Sequence, residues 1–254
     1  MTDLVHAETS GGVATAWLNR PPLNVLSIEL LELLQRTINR LEQERPRALV
    51  LRAAGAKAFS AGVDVADHTL EKIPRMLEVF HGVLRSLWRF PSPVVSMVHA
   101  PALGGGAELC LFLDFVLASE NAAFGFPEIA LGCFPPVAMA GLGACVGPIR
   151  AKELVLTGRR LSAQEARGLG LVTRVVPAGE EDHGLQELLE KLLDKSPAVL
   201  RLTLDTLRAQ HVGPMLHALE QIEALYLEKL MKIDDCNEGI QAFLAKRPPV
   251  WKGR

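Results

Sequence analysis

Near the N-terminus the spacing of apolar positions changes twice. Leu4 to Glu8 and Val13 to Leu18 are short β-like runs on either side of Ser10-Gly11-Gly12, whose glycines accept the positive φ of a tight turn, so the chain is expected to open with a hairpin. After Ser27 the apolar residues Leu30, Leu31, Leu34, Ile38 and Leu41 recur at helical intervals, with Glu29 and Glu32 near the positive end of the predicted helix. The unbroken apolar run Ala48 to Leu51 then predicts a buried strand.

The alternation continues with a helix near Ile73 to Trp88, a strand from Pro93 to Val98, the glycine run Gly104 to Gly106, a helix from Ala107 to Leu113 and a strand from Phe115 to Ala118. Strands and helices in turn predict an α/β fold with buried, partly parallel strands. Beyond Arg150 the pattern becomes helical. Ser162-Ala163-Gln164-Glu165 is a capping box, and amphipathic helices are expected near Leu185 to Leu193, Pro214 to Met231 and Asp235 to Ala245. No low-complexity tract or charge block divides the chain. The expected organisation is a catalytic core over residues 1–195 with a helical C-terminal region over 196–254.

Composition narrows the function classes. With 254 residues, 49% apolar and 22% charged, the chain can bury a substantial core and lacks the signature of disorder. A formal net charge of −2 argues against nucleic acid or a membrane surface as the main partner, because covering phosphates needs a basic excess. The first residues are acidic and polar where an export signal needs a basic start and an apolar run, and Phe134 to Val146 is too short for a membrane span. Cys110, Cys133, Cys145 and Cys236 are widely separated, which points away from a disulfide framework or zinc cluster and towards a reduced, cytoplasmic setting. None of the seven histidines has metal-ligand spacing. His99 ends an apolar strand as a core histidine would, and His68 follows a turn from which it could line a pocket.

Two carboxylates stand out. Glu108 is the only charged residue in Gly104-Gly105-Gly106-Ala107-Glu108-Leu109-Cys110-Leu111-Phe112-Leu113, and Glu128 lies in the apolar stretch Phe124-Gly125-Phe126-Pro127-Glu128-Ile129-Ala130-Leu131-Gly132. A carboxylate in such surroundings must be paired, hydrogen-bonded or raised in pKa, and a raised pKa suits acid–base work near neutrality. A structural ion pair would account for Glu108, and a helix N-terminus for Glu128, equally well at this level. The turns Phe59 to Asp64 and Leu103 to Gly106 could aim backbone amides at an anion. No Gly-Lys-Ser/Thr follows either of them, and the first strand-helix unit has no Gly-x-Gly-x-x-Gly, which sets nucleotide-phosphate loops aside.

Taken together, Lys57-Ala58-Phe59-Ser60-Ala61-Gly62-Val63-Asp64-Val65, Ala102 to Leu109, Phe124 to Gly132 and the closing Ala245-Lys246-Arg247-Pro248-Pro249-Val250-Trp251-Lys252-Gly253-Arg254 resemble the crotonase (enoyl-CoA hydratase/isomerase) superfamily. The resemblance implies a spiral core of ββα turns, a helical C-terminal trimerisation region, and a homotrimer or homohexamer. It implies an acyl-CoA substrate, with coenzyme A as part of that substrate, no separate cofactor and no metal. It also implies an oxyanion hole from the Val63 and Gly105 amides, with Glu108 and Glu128 as the catalytic pair. Family hydratases place two such glutamates around one water, whereas isomerases typically keep a single carboxylate, so the pair implies water addition or removal. Glu108 is assigned as the base towards water and Glu128 as the proton donor.

The resemblance further implies CoA contacts at Ala61, Val63, Asp64 and Val65, with Arg20, Lys57 and Lys246 as candidates for its phosphates, and an acyl pocket involving His68, Phe134, Pro135 and Pro136. Where common hydratases carry a glycine-rich stretch, this chain has Cys133-Phe134-Pro135-Pro136-Val137-Ala138-Met139. With Val63 to His68 and Glu223 to Glu228, that departure is most similar to the cyclohexa-1,5-diene-1-carbonyl-CoA hydratases of anaerobic aromatic breakdown. A general enoyl-CoA hydratase, an isomerase, or a non-catalytic acyl-CoA- or RNA-binding scaffold are the competing readings. The acyl group, the direction of reaction and the choice between trimer and hexamer stay open.

Overall fold

The computed structural model describes residues 3–254. The hairpin forms as expected: β1 (Val5–Ser10) pairs antiparallel with β2 (Val13–Leu18) across Gly11 and Gly12, both at positive φ. Ser27 caps α1 (Ile28–Gln43) by accepting a bond from the Leu30 amide at 3.3 Å, and the five predicted apolar residues of that helix are its buried stripe.

The chain continues through β3 (Ala48–Ala53), α2 (Ile73–Trp88), β4 (Val94–Val98), β5 (Ala102–Leu103), α3 (Gly105–Leu111), β6 (Phe115–Ser119) and β7 (Ala123–Gly125). It then forms α4 (Pro136–Val146), α5 (Pro148–Thr157), β8 (Arg160–Ser162), α6 (Ala163–Gly168), β9 (Arg174–Val176), α7 (Glu181–Leu193), α8 (Pro197–Glu228) and α9 (Asp234–Leu244). Six strands make the main sheet in the order β1-β2-β3-β4-β6-β9, parallel from β2 onward, and β5-β7-β8 form a second, smaller sheet. Strands β4 and β6 are each followed by a short strand of the second sheet and then a helix, so strand-strand-helix units are wound in succession. β4 is buried along its whole length, as its unbroken apolar sequence predicts.

Two helices differ from expectation. Pro136–Val146 is helical although its sequence is apolar on every side and rich in glycine, leaving no polar face from which to read a period. The helix expected to start at Pro214 starts at Pro197 and runs 32 residues with Pro214 inside it. Arg208 on this helix is anchored. Its Nε donates to Asp114 Oδ1 at 2.8 Å, its Nη1 to the Phe90 carbonyl at 2.5 Å, and Asp114 Oδ2 in turn accepts from the Val94 amide at 2.8 Å. The two side chains are 11% and 12% exposed. Arg208→Ala strands a buried carboxylate and should cost about 3–5 kcal/mol in urea unfolding; a cost typical of a solvated surface pair would contradict this picture. Among the described residues, no helix is long and apolar enough to cross a membrane.

Candidate active site

The segment that follows β3 is zipped to the loop preceding α1. Ala61 N donates to Leu23 O, Leu26 N to Gly62 O, and Asp64 N to Leu26 O, at 2.9, 2.9 and 3.1 Å. This parallel pairing uses the amides on either side of Val63. Asn24 holds the loop from within: it is fully buried, and its Nδ2 donates to the Ala54 and Ala58 carbonyls at 2.8 and 3.0 Å.

Across from Val63, Gly104 donates to Gly125 O at 2.8 Å, which fastens the start of α3 to the second sheet. Gly104 adopts φ 53° and ψ −130°, a conformation open in practice only to glycine, and a Cβ there would lie 2.7 Å from Glu128 Oε1. A Cβ on Gly105 would lie 3.4 Å from Val63 N and 2.7 Å from Val63 Cγ2, so the two residues are in close contact. Among the described residues, neither the Val63 nor the Gly105 amide donates to a protein acceptor. Two free amides thus stand side by side at the N-terminus of α3, a ready site for a developing negative charge.

Val63 and Gly105 line a cleft of about 350 Å³ that also contains Glu108 and Glu128. Glu108 is 2% exposed, and its Oε1 accepts from the Val137 and Ala138 amides at 2.8 and 2.9 Å. These are N-terminal amides of α4, whose first residue, Pro136, has no N–H to spare there. Burial drives the Glu108 pKa up to about 7, and the two amides oppose that rise by favouring the ionised form. Glu128 follows Pro127 in a short 3-10 turn, and its Oε2 is buried without a partner among the described residues. Its pKa is raised well above the ordinary carboxylate range, first by burial and then by the charge of Glu108. The environments therefore separate two neighbouring carboxyls, Glu108 being the one better held as an anion. That is the asymmetry an acid–base pair requires.

Of the other residues singled out in the sequence, Ala61, Val65, His68, Phe134 and Pro136 line the same cleft. His68 Nδ1 lies 3.1 Å from the Asp64 carbonyl oxygen, and burial lowers its pKa. Pro135 is buried and caps α4 rather than lining the cleft. Asp64 caps the turn Val65–Asp67 through the Ala66 amide and pairs with Arg20 at 3.5 Å. Arg20 faces a separate hollow with Glu29, Glu32 and Asp67, while Lys57 and Lys246 are exposed outside the cleft lining. The sequence did not single out Met76, Leu77 and Phe80 of α2, or Phe243 of α9, as cleft residues. Tyr226, the chain's only tyrosine, reaches the cleft from α8, 2% exposed, with its ring edge-on to Phe134 at 5.0 Å.

A family model described as enoyl-CoA hydratase/isomerase matches residues 8–254. The chain is 32% identical over 251 residues to a cyclohexa-1,5-dienecarbonyl-CoA hydratase of Thauera aromatica, covering 98% of this chain and 96% of the relative. It is 31% identical over 261 residues to a carnitinyl-CoA dehydratase of Salmonella enteritidis, covering all of both chains. Among solved structures, an enoyl-CoA hydratase from Mycobacterium avium subsp. paratuberculosis superposes with a TM-score of 0.88 at 29% identity, covering 98% of each chain. One from Bacillus anthracis superposes with a TM-score of 0.78 at 34% identity, covering 99% of this chain and 100% of that one. The chain therefore belongs to the enoyl-CoA hydratase/isomerase family and has the α/β crotonase fold with a helical C-terminal region. It is a hydratase-type carbon–oxygen lyase acting on an acyl-CoA.

Proposed function

We propose that the chain adds water to a conjugated enoyl- or dienoyl-CoA thioester, with cyclohexa-1,5-diene-1-carbonyl-CoA as the best-supported substrate and Glu108 and Glu128 as the catalytic pair. The observation that carries this reading is the meeting in one cleft of two buried carboxyls, one held by two helix-start amides and the other without a partner among the described residues, with two unpartnered backbone amides. Glu108 takes a proton from water as its oxygen adds to the conjugated alkene. Electrons move onto the thioester oxygen, where the Val63 and Gly105 amides hold the enolate. As the enolate collapses, Glu128 protonates the carbon next to the thioester. The same groups run the elimination in reverse, so the arrangement serves either direction. Carboxyls and amides carry every step, and the reading calls for no metal or cofactor beyond the substrate's own coenzyme A. CoA would run past Ala61 to Val65 towards Arg20, Lys57 and Lys246.

A ring is favoured by the aromatic lining of Phe80, Phe134, Tyr226 and Phe243 and by similarity to the Thauera hydratase. The comparable identity to a carnitinyl-CoA dehydratase supports, as the second reading, an open-chain acyl group and water loss. Loss of the conjugated-thioester absorbance with the cyclic diene and with crotonyl-CoA, measured side by side, separates them. Faster loss of the cyclic diene supports the first reading, and preference for crotonyl-CoA returns the chain to general enoyl-CoA hydration.

The pH profile has a definite sign. Glu108 works ionised, and its pKa is raised to about 7, so kcat/KM should fall as pH drops through that value. Glu128 works protonated, and burial and the neighbouring Glu108 charge raise its pKa, so a second fall is expected on the alkaline side, the two limbs belonging to the pair jointly. A profile flat across neutrality would contradict the assignment. The proposal includes a homotrimer or homohexamer in the reducing cytoplasm. The apolar side chains that α8 leaves exposed, Val199, Leu202 and Leu207, support assembly, which light scattering would test.

A further inference from the structure

We propose that a second cavity, at the opposite ends of the central strands β3 and β4 from the acyl-CoA cleft, binds the phosphate group of a small molecule. This cavity, of about 590 Å³, is lined by Arg47 immediately before β3, by Ser92 and Pro93 before β4, and by Pro197 and Ala198 at the start of α8. The acyl-CoA cleft is built from segments that follow the other ends of β3 and β4. Five- and six-residue strands hold the two sites apart by about 17–20 Å.

Basic side chains, unpartnered buried polar atoms and a helix start border this space. Three guanidinium side chains, Arg45, Arg47 and Arg201, line it against a single carboxylate, Glu42. Arg47 Nη2 is engaged with the Lys195 carbonyl at 2.7 Å, but its Nε is buried with no partner among the described residues. Ser92 is only 8% exposed, and its Oγ is likewise buried and unpartnered. The 32-residue helix α8 begins here without a side-chain cap, since Ser196 makes no capping bond. Pro197 has no N–H, so the Ala198 and Val199 amides and the positive end of the dipole are what this helix start offers a ligand.

Buried donors are normally satisfied, so two orphaned side-chain groups beside an uncapped helix start indicate a missing acceptor. A phosphate supplies several acceptor oxygens and negative charge to one point, and guanidinium groups grip it in bidentate fashion. The cavity is larger than one phosphate and leaves room for the body of a metabolite. Arg201 contacts Asp205 only at 3.9 Å, so its guanidinium is not tied up elsewhere.

The test is calorimetric titration of the full chain with inorganic pyrophosphate at physiological ionic strength, comparing wild type, Arg45→Gln/Arg201→Gln and Ser92→Ala. Loss of two charge-assisted contacts should weaken binding at least about tenfold, and loss of the serine hydroxyl roughly fivefold. Hydration of the acyl-CoA should be unchanged in both variants, which also certifies that they fold. Failure of pyrophosphate to bind wild type, or equal binding by wild type and Ser92→Ala, overturns the proposal. Pyrophosphate binding that survives the double arginine change would locate it at another site and overturns the proposal too.

Discussion

Glu128→Gln removes the proton donor while keeping the shape of the side chain, and hydration should fall by about 10²–10⁴-fold with little change in KM. The same substitution should not weaken the fold at mildly alkaline pH. Burial and the Glu108 charge raise the Glu128 pKa above its unfolded value, so the folded chain binds the extra proton more tightly. Stability linked to that proton is present at low pH and is lost as pH rises through the folded pKa. Glutamine carries no charge to desolvate, so the melting temperature of Glu128→Gln should equal or exceed that of wild type in alkaline buffer. Activity loss with an unchanged or higher melting temperature marks a group kept for chemistry at the expense of stability. A matching loss of both would mark Glu128 as structural. Glu108→Gln should lose activity on the same scale, and the double variant should be little worse than either single one, because the two groups act in one step.

Gly105→Ala is expected to be nearly as damaging, by a different route. The added methyl would sit 2.7 Å from Val63 Cγ2, so the start of α3 and the Val63 segment must separate and their amides can no longer converge on one oxygen. Loss of one oxyanion donor corresponds to about 10²–10³-fold in kcat. Val63→Ala supplies the control, since it removes the obstructing methyl while leaving the backbone amide in place. Alone it should have a small effect, and combined with Gly105→Ala it should recover much of the lost rate. Absence of that recovery would show that the damage lies elsewhere in the packing around Phe80, whose Cζ is 3.4 Å from the same position.

Local signals in the sequence made much of this architecture legible. The hairpin needed only glycines between two apolar runs, and α1 needed only a cap and a stripe, because both are decided by residues close together in the chain. The meeting of Glu108 and Glu128 was not legible from spacing. It depends on the Gly104–Gly125 hydrogen bond and on the packing of two sheets, and it was anticipated only through resemblance of whole segments to a family. Helix α4 escaped notice because a uniformly apolar, glycine-containing stretch has no hydrophobic period. Yet Pro135 and Pro136 start that helix, and its free amides grip Glu108. The amphipathic helix expected from Pro214 to Met231 is the second half of α8, which packs against α4 and continues through Pro214. Tyr226 and Phe243 carry no local mark of a pocket residue. Their place in the cleft follows from the return path of the C-terminal helices, which periodicity does not encode.

The most direct test is turnover of cyclohexa-1,5-diene-1-carbonyl-CoA in ¹⁸O-labelled water, followed by mass spectrometry of the thioester, for wild type and Glu128→Gln. The account predicts a product heavier by one labelled water with wild type and almost none with the variant. A product of unchanged mass would mean double-bond migration in place of hydration, and equal label incorporation by the two proteins would remove Glu128 from the chemistry.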